Sequence, residues 1–381
     1  MNFSLYNPSE IQYTETIKTR EEITLKKLNV AIIGQGRSGK NIHGAFLRSE
    51  ANLWFDVKYV VDADAFRRQV AEEIYPGCRT FESYQELFAC SDIDLVVNAT
   101  FSHMHYPISK DLLEHGFNVL VEKPLGRNRY ECQDLIKTAG EKGVLLAPFQ
   151  QSFFAPYYMK AQEIVKSGVL GDVLQVNITY SGFARRWDWQ TLQKKLAGGI
   201  YNTGPHPVGL ALGFLDFDPN TRVIYSKLGK ALTSGDADDY CKLLLEAPGK
   251  PLVDLEVCSN DAYPEWNLKI LGTRGTLKSN LGEYMLTYIV DGENVPRPVQ
   301  EEFLKDEKGE PIYCGENLIK HEESGKFDAA DVFAGAVGHV YGELYAAITE
   351  GKPMTITAEM ATEIIAVIDR VHADNPMPLE F

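Results

Sequence analysis

The first third of the chain alternates short apolar runs with segments of helical periodicity. Apolar runs of strand length cover residues 29–33 and 55–61, and others occur in "DIDLVVNAT" and "NVLVE". Helices are predicted from the glycine turn after residue 33 to Arg48, and over residues 106–115. Because strands that alternate with helices form parallel sheets, this pattern predicts a doubly wound α/β domain.

The second half of the chain has a different pattern, in which β-rich runs follow one another without intervening helices. Gly, Pro, Asn and Asp separate the runs, which favours an antiparallel sheet. Their sequences are "VLQVNITY", "TRVIYSKL", "DYCKLLLEA", "LVDLEVCSN", "NLKILGT", "GTLKSN" and "YMLTYIV". Helical periodicity marks "PYYMKAQEIVKSG" before them and "AEMATEIIAVIDRVH" near the end. The polar segment 291–326, interrupted by Pro and Gly, predicts a long surface excursion.

The length of 381 residues exceeds what one hydrophobic core usually serves, so two domains with two cores are expected. The change of pattern divides the chain into residues 29–148 and residues 149–381. Residues 1–28 form an N-terminal extension without the apolar core of a secretory signal, which predicts a cytoplasmic protein. The extension is either a fraying tail or an arm that packs on a neighbouring subunit.

Charge and cysteine spacing exclude several classes of partner. The formal net charge of −15 disfavours nucleic acid, whose phosphates are bound by clustered Lys and Arg, so a small molecule is expected instead. No apolar run is long enough to span a bilayer. The six cysteines lie far apart, with neither a CxxC pair nor a Cys/His cluster at zinc spacing. We therefore expect reduced cysteines and no metal site.

A glycine-rich turn follows the first predicted strand and precedes a helix. The turn is Gly34-Gln35-Gly36-Arg37-Ser38-Gly39. In such a unit the first Gly makes the tight turn, the second admits a pyrophosphate close to the backbone, and the third allows helix and strand to pack. The order of strand, turn and helix predicts a dinucleotide-binding Rossmann domain.

An acidic residue ends the second predicted strand. Asp62 lies 23 residues beyond Gly39, where it would accept hydrogen bonds from an adenosine ribose. The alternative is that Asp62 caps the next helix. A 2′-phosphate would meet both Asp62 and Asp64 before it met Arg67 or Arg68, so the sequence favours NAD over NADP.

Two further strand ends carry polar residues, and ligands of parallel sheets bind beyond such ends. One end is residues 100–105, "TFSHMH", and the other is Glu122-Lys123-Pro124. A later stretch, "GGIYNTGPHP", holds His206 between Gly and Pro, which predicts a shaped turn around one imidazole.

The segments "GQGRSG", "NATFSHMH", "VEKPLG" and "GGIYNTGPHP" together resemble the Gfo/Idh/MocA family, which includes glucose-fructose oxidoreductase, inositol dehydrogenase and MocA-like proteins. The resemblance covers nearly the whole chain after residue 28. It implies an N-terminal Rossmann domain and a C-terminal α/β domain with a large, open antiparallel sheet used for oligomerisation. We therefore expect a homodimer or homotetramer, with one sheet face apolar enough to need a partner.

The resemblance also implies roles for individual residues. Lys123 would take the substrate hydroxyl proton, His206 would share that hydroxyl, and Glu122 would position the lysine or the cofactor. Asn202 departs from the Asp that many relatives carry four residues before the histidine, which leaves open which residue is the working base. His105 matches a position that lines the nicotinamide side, while His103 is expected to face solvent.

Two sets of ligand-binding residues complete the expectations. The predicted cofactor-binding residues are Gly34, Gly36, Arg37, Ser38, Gly39, Asp62, Thr100, Ser102, His105 and Glu122. The predicted substrate-binding residues are Gln151, Arg186 and Trp187. Gln151 stands where relatives often have an Asn-Arg pair, and its neutral amide suits a polyhydroxylated ligand. The segment "SGFARRWDWQ" is either a substrate loop with sugar-stacking aromatic residues or a structural turn that buries two Trp residues.

The expected function is an NAD-dependent oxidoreductase that transfers a hydride between nicotinamide and a hydroxyl-bearing carbon of a sugar, inositol or sugar derivative. One alternative is a glycoside-processing enzyme that oxidises its substrate transiently and then returns the hydride. Another is a non-catalytic, dinucleotide-dependent sensor, which has no need of a proton-transfer pair such as Lys123 and His206.

Overall fold

Six parallel strands form the N-terminal sheet of the computed structural model, which describes residues 26–329 and 331–381. The strands are β1 (Leu28–Ile33), β2 (Phe55–Val61), β3 (Arg79–Phe81), β4 (Leu95–Asn98), β5 (Val119–Val121) and β6 (Leu146–Pro148). Their order across the sheet is β3-β2-β1-β4-β5-β6, which is that of a dinucleotide-binding Rossmann fold. The predicted doubly wound parallel sheet is confirmed.

Helices connect these strands as the periodicity predicted. They are a π-helical turn (Gly39–His43) that continues into α1 (Gly44–Leu47), then α2 (Ala65–Ile74), α3 (His105–Glu114) and α4 (Arg129–Lys142). Short 3₁₀ turns at Tyr84–Ala89 and Ser102–Met104 complete the connections.

The second sheet has eight strands within the described residues. They are β7 (Val173–Ser181), β8 (Arg222–Gly229), β9 (Tyr240–Glu246), β10 (Leu252–Cys258), β11 (Leu268–Gly272), β12 (Gly275–Ser279), β13 (Glu283–Tyr288) and β14 (His321–Lys326). Their order across the sheet is β14-β13-β12-β11-β7-β10-β9-β8. All neighbouring pairs are antiparallel except β7 and β10. The predicted antiparallel sheet is therefore confirmed with one parallel pair.

The remaining helices are α5 (Pro156–Ser167), α6 (Gly199–Asn202), α7 (Pro205–Phe214), α8 (Ala336–Glu350) and α9 (Ala358–Asp374). A π-helical turn, Asp331–Gly335, leads into α8. Three short 3₁₀ turns lie near the domain junction at Gln151–Phe154, Trp189–Thr191 and Gln193–Lys195.

The two faces of the six-stranded sheet pack into different cores. Ala31 and Ile33 of β1 lie in a core that includes α3 and α4 and continues into the second sheet. Val30 and Ile32 face a second core, to which α8 contributes the fully buried Tyr341. A helix from beyond residue 148 thus covers one face of the Rossmann sheet. The division of the chain at residues 148 and 149 stays a prediction.

The predicted surface excursion over residues 291–326 is wrong for its last six residues. His321–Lys326 forms β14, which pairs with β13 at the edge of the second sheet. The sequence "HEESGK" carries no apolar residue, because an edge strand can leave both faces exposed to water. It therefore lacks the alternation that identifies a half-buried strand.

The uncovered face of the second sheet carries polar pairs together with apolar residues such as Leu244, so an apolar face that needs a partner stays a prediction. Lys242 of β9 forms ion pairs with Asp254 and Glu256 of β10, at 2.5 and 3.6 Å. On β7, Gln175 donates a hydrogen bond of 2.7 Å to Asn177 on the same face. A homodimer or homotetramer stays a prediction.

Two other expectations concern the N-terminal extension and membrane-spanning segments. The N-terminal extension falls almost entirely in residues 1–25, outside the described part of the chain. Within the described part, no helix has the length and apolar character needed to cross a membrane.

Candidate active site

The glycine turn has the shape that its sequence predicts. Gly34 has a φ of +93°, and a Cβ there would lie 2.7 Å from the carbonyl oxygen of Ala99. A Cβ on Gly39 would overlap the carbonyl oxygen of Gly34, so the protein's own backbone requires both glycines. A Cβ on Gly36 would meet nothing within 4 Å. The space beside Gly36 is therefore open to a ligand, as a pyrophosphate-binding turn requires.

Asp62 is buried at the end of β2, beside the glycine turn. Its Oδ2 accepts a 2.7 Å hydrogen bond from the backbone N–H of Gln35, and its Oδ1 accepts one of 2.9 Å from Asp64. Asp64, rather than Asp62, caps α2 by accepting from the backbone N–H of Phe66. The alternative reading of Asp62 as a helix cap is therefore wrong.

A cavity of about 210 Å³ lies beside Asp62. It is lined by Gln35, Lys40, Asp64, Phe66, Arg67 and Val70. The side-chain amide of Gln35 is buried, and neither its nitrogen nor its oxygen has a hydrogen-bond partner. Arg67 approaches Asp62 Oδ2 to 3.6 Å. The cavity thus offers an unpaired amide and two cations next to the carboxylate.

Lys123 lies just beyond the carboxyl end of β5 and links it to α6. Its Nζ donates a 2.7 Å hydrogen bond to the carbonyl oxygen of Asn202, the last residue of α6. Its backbone N–H donates to Glu122 Oε2 at 3.1 Å. Burial lowers the pKa of Lys123; Glu122 opposes this effect, whereas the charges of Arg37 and Arg186 add to it. The lysine therefore loses its proton more readily than an exposed one.

His206 lies in a helix rather than in the predicted turn. It is the second residue of α7, which begins at Pro205, where proline's missing N–H has no helical partner to lose. Its Nδ1 lies 3.3 Å from Ser152 Oγ. Burial, with a further contribution from the charge of Lys123, lowers the pKa of His206 to about 3. The imidazole is therefore neutral near pH 7.

The side chain of Asn202 is directed to another neighbour. Its Oδ1 accepts a 2.6 Å hydrogen bond from Gln190 Nε2, while its backbone carbonyl holds Lys123. The structure thus brings Asn202 to Lys123 through the main chain. It brings Lys123, His206 and Asn202 together at one junction, as predicted from two separate motifs.

His105 lies beneath the lysine turn and is fully enclosed. Its Nδ1 is 2.8 Å from the carbonyl oxygen of Pro124, and its Nε2 is 3.2 Å from that of Thr100. Both ring nitrogens of His105 thus face backbone carbonyls, and its predicted place on the nicotinamide side stays a prediction. His103, expected to face solvent, is instead partly buried beside Lys195, 3.4 Å from its Nζ.

The other predicted cofactor-binding residues lie around the same strand ends. The hydroxyl of Thr100 donates to Asn98 Oδ1 at 2.7 Å, and Ser102 is buried in the 3₁₀ turn after β4. Arg37 and Ser38 lie in the glycine turn, and Arg37 is close enough to lower the pKa of Lys123.

The predicted substrate residues differ in their exposure. Gln151 is buried with its Oε1 unpartnered. Trp187 is 77% exposed, which excludes the alternative of a turn that buries both tryptophans. Arg186 makes a two-pronged ion pair with Asp188, at 3.1 and 2.7 Å.

A buried histidine that the sequence analysis did not single out lies behind Glu122. His43 Nε2 approaches Glu122 Oε1 to 3.3 Å, and its Nδ1 is 2.9 Å from the hydroxyl of Tyr341. Burial alone would raise the pKa of Glu122, but His43 first, and then Lys123 and His105, lower it to about 2. The position of His43, four residues after Gly39, is a sequence signal for a buried partner; Tyr341 lies 298 residues away and gives none.

Comparison with known proteins gives matches over most of the chain. Residues 28–150 match the sequence profile of the oxidoreductase family with an NAD-binding Rossmann fold, GFO_IDH_MocA. Residues 158–278 match the GFO/IDH/MocA C-terminal domain.

Characterised relatives are distant but cover most of the chain. The chain is 24% identical over 312 residues to 2,7-anhydro-N-acetylneuraminate hydratase of Mediterraneibacter gnavus, covering 79% of this chain and 81% of the relative. It is 21% identical over 346 residues to scyllo-inositol 2-dehydrogenase (NADP⁺) IolW of Bacillus subtilis, covering 90% and 92%.

A solved structure has the same fold. The crystal structure of GenD2 from gentamicin A biosynthesis in complex with NAD superposes with a TM-score of 0.73 at 23% identity, covering 94% of this chain and 98% of GenD2. The two matched profile ranges span more than half of the chain, which therefore belongs to the Gfo/Idh/MocA family of oxidoreductases with an NAD-binding Rossmann fold.

Proposed function

We propose that this protein is an NAD-dependent oxidoreductase that moves a hydride between nicotinamide and a hydroxyl-bearing carbon of a sugar, inositol or sugar derivative. The observation that carries the proposal is the hydrogen bond from Lys123 Nζ to the Asn202 carbonyl, which sets a lysine of lowered pKa beside His206. This junction lies beyond the carboxyl end of β5, where ligands of doubly wound sheets bind.

The residues of the first domain fit a dinucleotide. The open space beside Gly36 would take the pyrophosphate, and Asp62 is fixed where it can accept from a ribose hydroxyl. The unpaired amide of Gln35 supplies a donor and an acceptor in the adjoining cavity. When bound, the nicotinamide supplies the acceptor for the hydride.

We favour NAD over NADP because Asp64 lines the cavity that the adenosine ribose would enter and Asp62 lies beside it, bonded to the backbone of Gln35. A 2′-phosphate there would meet two carboxylates. Arg67 opposes this preference, but it already lies 3.6 Å from Asp62 and 3.8 Å from Asp64. Lys40 lines the same cavity, so the preference rests on the two carboxylates holding Arg67 between them and leaving Lys40 as a cation that they do not share.

Lys123 is the group that we assign to the hydroxyl proton. At an ordinary pKa of about 10.4, roughly one lysine in 2,500 is neutral at pH 7, so burial must lower the pKa for the amine to act as a base. The carbonyl of Asn202 accepts one N–H and thereby fixes the direction of the nitrogen lone pair. As the substrate oxidises, its carbon loses a hydride and its oxygen loses a proton to this amine.

His206 is assigned to holding the same hydroxyl. Because its pKa is lowered to about 3, the ring is neutral and carries one N–H. With Nδ1 beside Ser152, Nε2 is the atom available to a substrate oxygen. The neutral ring therefore orients the hydroxyl, and proton transfer falls to Lys123.

A second candidate is a glycoside- or anhydrosugar-processing enzyme in which oxidation is transient. The relation to the 2,7-anhydro-N-acetylneuraminate hydratase favours it, since that relative's name gives no net oxidation. The same Lys123 would serve both functions, and the candidates differ only in whether the hydride leaves with the cofactor or returns to the substrate.

One experiment separates the candidates. The NAD-loaded protein is incubated with polyols, aldoses and glycosides while reduced nicotinamide is followed by absorbance and product by mass. Accumulation of NADH with a product two hydrogens lighter supports the dehydrogenase. Conversion of a glycoside or anhydrosugar without net NADH supports the second candidate. Absence of turnover in every class would contradict both.

A further inference from the structure

We infer that the substrate carries a carboxylate, which binds at a basic and aromatic subsite formed by Phe101, His103, Trp189 and Lys195. This inference names the substrate class for the proposed reaction and rests on that proposed function for the position of the reacting carbon. It narrows the proposed substrate class from sugars and polyols in general to acidic ones, such as a uronate or a sugar acid.

The four side chains come from two parts of the molecule that face each other across the junction. Phe101 and His103 follow β4 of the Rossmann sheet, whereas Trp189 and Lys195 belong to 3₁₀ turns that precede α6. Lys195 Nζ lies 5.3 Å from the centroid of the Phe101 ring, and the ring of Trp189 meets Phe101 edge-on at 4.9 Å. The subsite therefore exists only where the two domains meet.

The charged group of this subsite has a neutral acceptor but, within the described part of the chain, no carboxylate partner. A lysine ammonium can only donate, so the 3.4 Å contact makes His103 Nε2 the acceptor and leaves the ring proton on Nδ1. That Nδ1 is buried and has no hydrogen-bond partner. Among the ion pairs of the described residues, none joins Lys195 to a carboxylate within 4 Å. The two ring nitrogens point in divergent directions, so the ammonium of Lys195, which lacks such a carboxylate, is the group that would meet an anion.

The groups around His103 are positive, although the protein as a whole is negative. The chain has a formal net charge of −15, yet His103 is surrounded by positive groups. Burial first, and then the charges of Lys195, His105 and Arg127, lower the pKa of His103. A carboxylate in this place would be stabilised by both charge and hydrogen bonding, which together give the stronger class of polar contact.

One residue connects the subsite to the reacting groups. Gln190, next to Trp189, donates to Asn202 Oδ1 at 2.6 Å, and the carbonyl of Asn202 accepts from Lys123. Phe101, which is 44% exposed, and Trp189 offer aromatic surface for the apolar face of a sugar ring. A substrate that reaches from the subsite to the reacting groups would place its carboxylate at Lys195 and its reacting hydroxyl at Lys123.

The cofactor is the other source of an anion, because β4 lies next to β1 in the sheet and a dinucleotide would cross both strand ends. The pyrophosphate space is beside Gly36, after β1, whereas Lys195 lies in a 3₁₀ turn of the second domain. We therefore assign Lys195 to the substrate, and binding to the cofactor is an outcome of the test.

The test is calorimetric titration of the NAD-loaded protein with matched sugars that differ only in the carboxylate. The pairs are D-glucuronate with D-glucose, and D-galacturonate with D-galactose. We expect at least one uronate to bind ten-fold or more tighter than its neutral partner. Lys195→Met should remove most of that preference, and Lys195→Arg should retain part of it. Lys194→Met is the matched control, because Lys194 is the exposed neighbour, and it should leave the preference unchanged.

A second measurement establishes that Lys195 acts on His103 and that the variant is folded. Titration of the histidine ring signals by NMR should show the pKa of His103 rising in Lys195→Met, because a charge that lowers it has been removed. Addition of the tighter-binding uronate to the wild type should raise it as well.

Three results would overturn the inference. They are no uronate preference in the wild type, a preference that survives Lys195→Met, and a loss of NAD affinity in that variant with equal losses for charged and neutral sugars. The last would assign Lys195 to a cofactor phosphate. Binding requires no turnover, so a uronate preference without NADH formation would contradict the proposed function and leave this inference standing.

Discussion

Replacing His43 by Leu removes one partner of the most deeply buried ionic contact at the site. The side chains of His43 and Glu122 are 0% and 4% exposed and lie 3.3 Å apart. The contact joins His43 Nε2 to Glu122 Oε1, and His43 Nδ1 also lies within hydrogen-bond distance of the hydroxyl of Tyr341. Leucine keeps apolar contact with the neighbouring ring of Phe149 but leaves the Glu122 carboxylate without the imidazole that faces it.

The structure sets the size of the effect. Removing one partner of a buried pair typically costs about 3–5 kcal/mol, because the remaining charge stays buried. The lowering of the Glu122 pKa from 4.5 to about 2 corresponds to about 3 kcal/mol of stabilisation at neutral pH. A lowered carboxyl pKa contributes above its unfolded value, and this contribution is lost as the pH falls from 4.5 towards 2. We therefore expect a loss of about 3–4 kcal/mol at pH 7.

The assay is urea unfolding followed by tryptophan fluorescence. Trp54 stacks on Phe46 in the same core as Tyr341, so its signal reports on the affected part of the molecule. The loss should shrink at pH 5, because removing His43 takes away the largest effect that lowers the pKa of Glu122, and a carboxyl group closer to its neutral form needs less counter-charge.

The chain provides a matched control. His115 lies 3.3 Å from Asp111, the same separation, but these side chains are 45% and 31% exposed. Exposed pairs contribute about 0–1 kcal/mol, so His115→Leu should change the free energy of unfolding by no more than that. Equal effects of the two variants, or a loss below 1 kcal/mol in His43→Leu, would refute the assignment of a buried pair.

Three further outcomes are expected. Burial raises the pKa of Asp238 to about 7, so the stability that its neutral form contributes is complete below pH 3.8 and is lost as the pH rises to 7. Asp238→Asn can still accept from the backbone N–H of Ile200, and it should flatten that decline in urea titrations across this range. Calorimetry should show NAD(H) binding at least ten-fold tighter than NADP(H), about 1.4 kcal/mol, and equal affinities would remove Asp62 from its role. Lys123→Met should lower turnover by about 10²–10⁴-fold while changing NAD affinity only a few-fold. Lys137→Met, at an exposed position, should change neither quantity. If Lys123→Met retained half of the wild-type activity, Lys123 would be excluded as the proton acceptor.

The Rossmann half was predictable because its signals are local. The glycine turn, the apolar strands and the carboxylate of Asp62 lie within one βαβ unit, where each residue's role follows from the backbone geometry of its neighbours. The same reasoning found Lys123, because the end of a buried parallel strand is identifiable from its apolar run.

Other parts lacked a local signal. The helix α7 is buried on nearly all sides, so it has no amphipathic period, and its two prolines in the first turn suggested a turn instead. The strand β14 is polar along its whole length for the opposite reason, since it lies at an exposed edge. Neither pattern carries the period that identifies its element.

The site partners that were missed depend on tertiary packing. His43 meets Tyr341 of α8 across 298 residues, and His103 meets Lys195 across 92. Similarly, Asn202 reaches Lys123 through its backbone carbonyl, a group that every residue carries and that leaves no mark in the sequence. Such contacts follow only from the placement of whole elements.

The central claim is that a hydride passes between nicotinamide and a substrate carbon next to Lys123. It is tested most directly with a substrate carrying deuterium on that carbon, mixed in a single turnover with excess NAD-loaded protein. We predict that deuterium appears at C4 of the nicotinamide in the wild type, either lastingly or transiently before it returns to the substrate, and that transfer is slowed at least a hundred-fold in Lys123→Met. Product formed with no deuterium ever detected on the cofactor, or transfer at the wild-type rate in Lys123→Met, would contradict it.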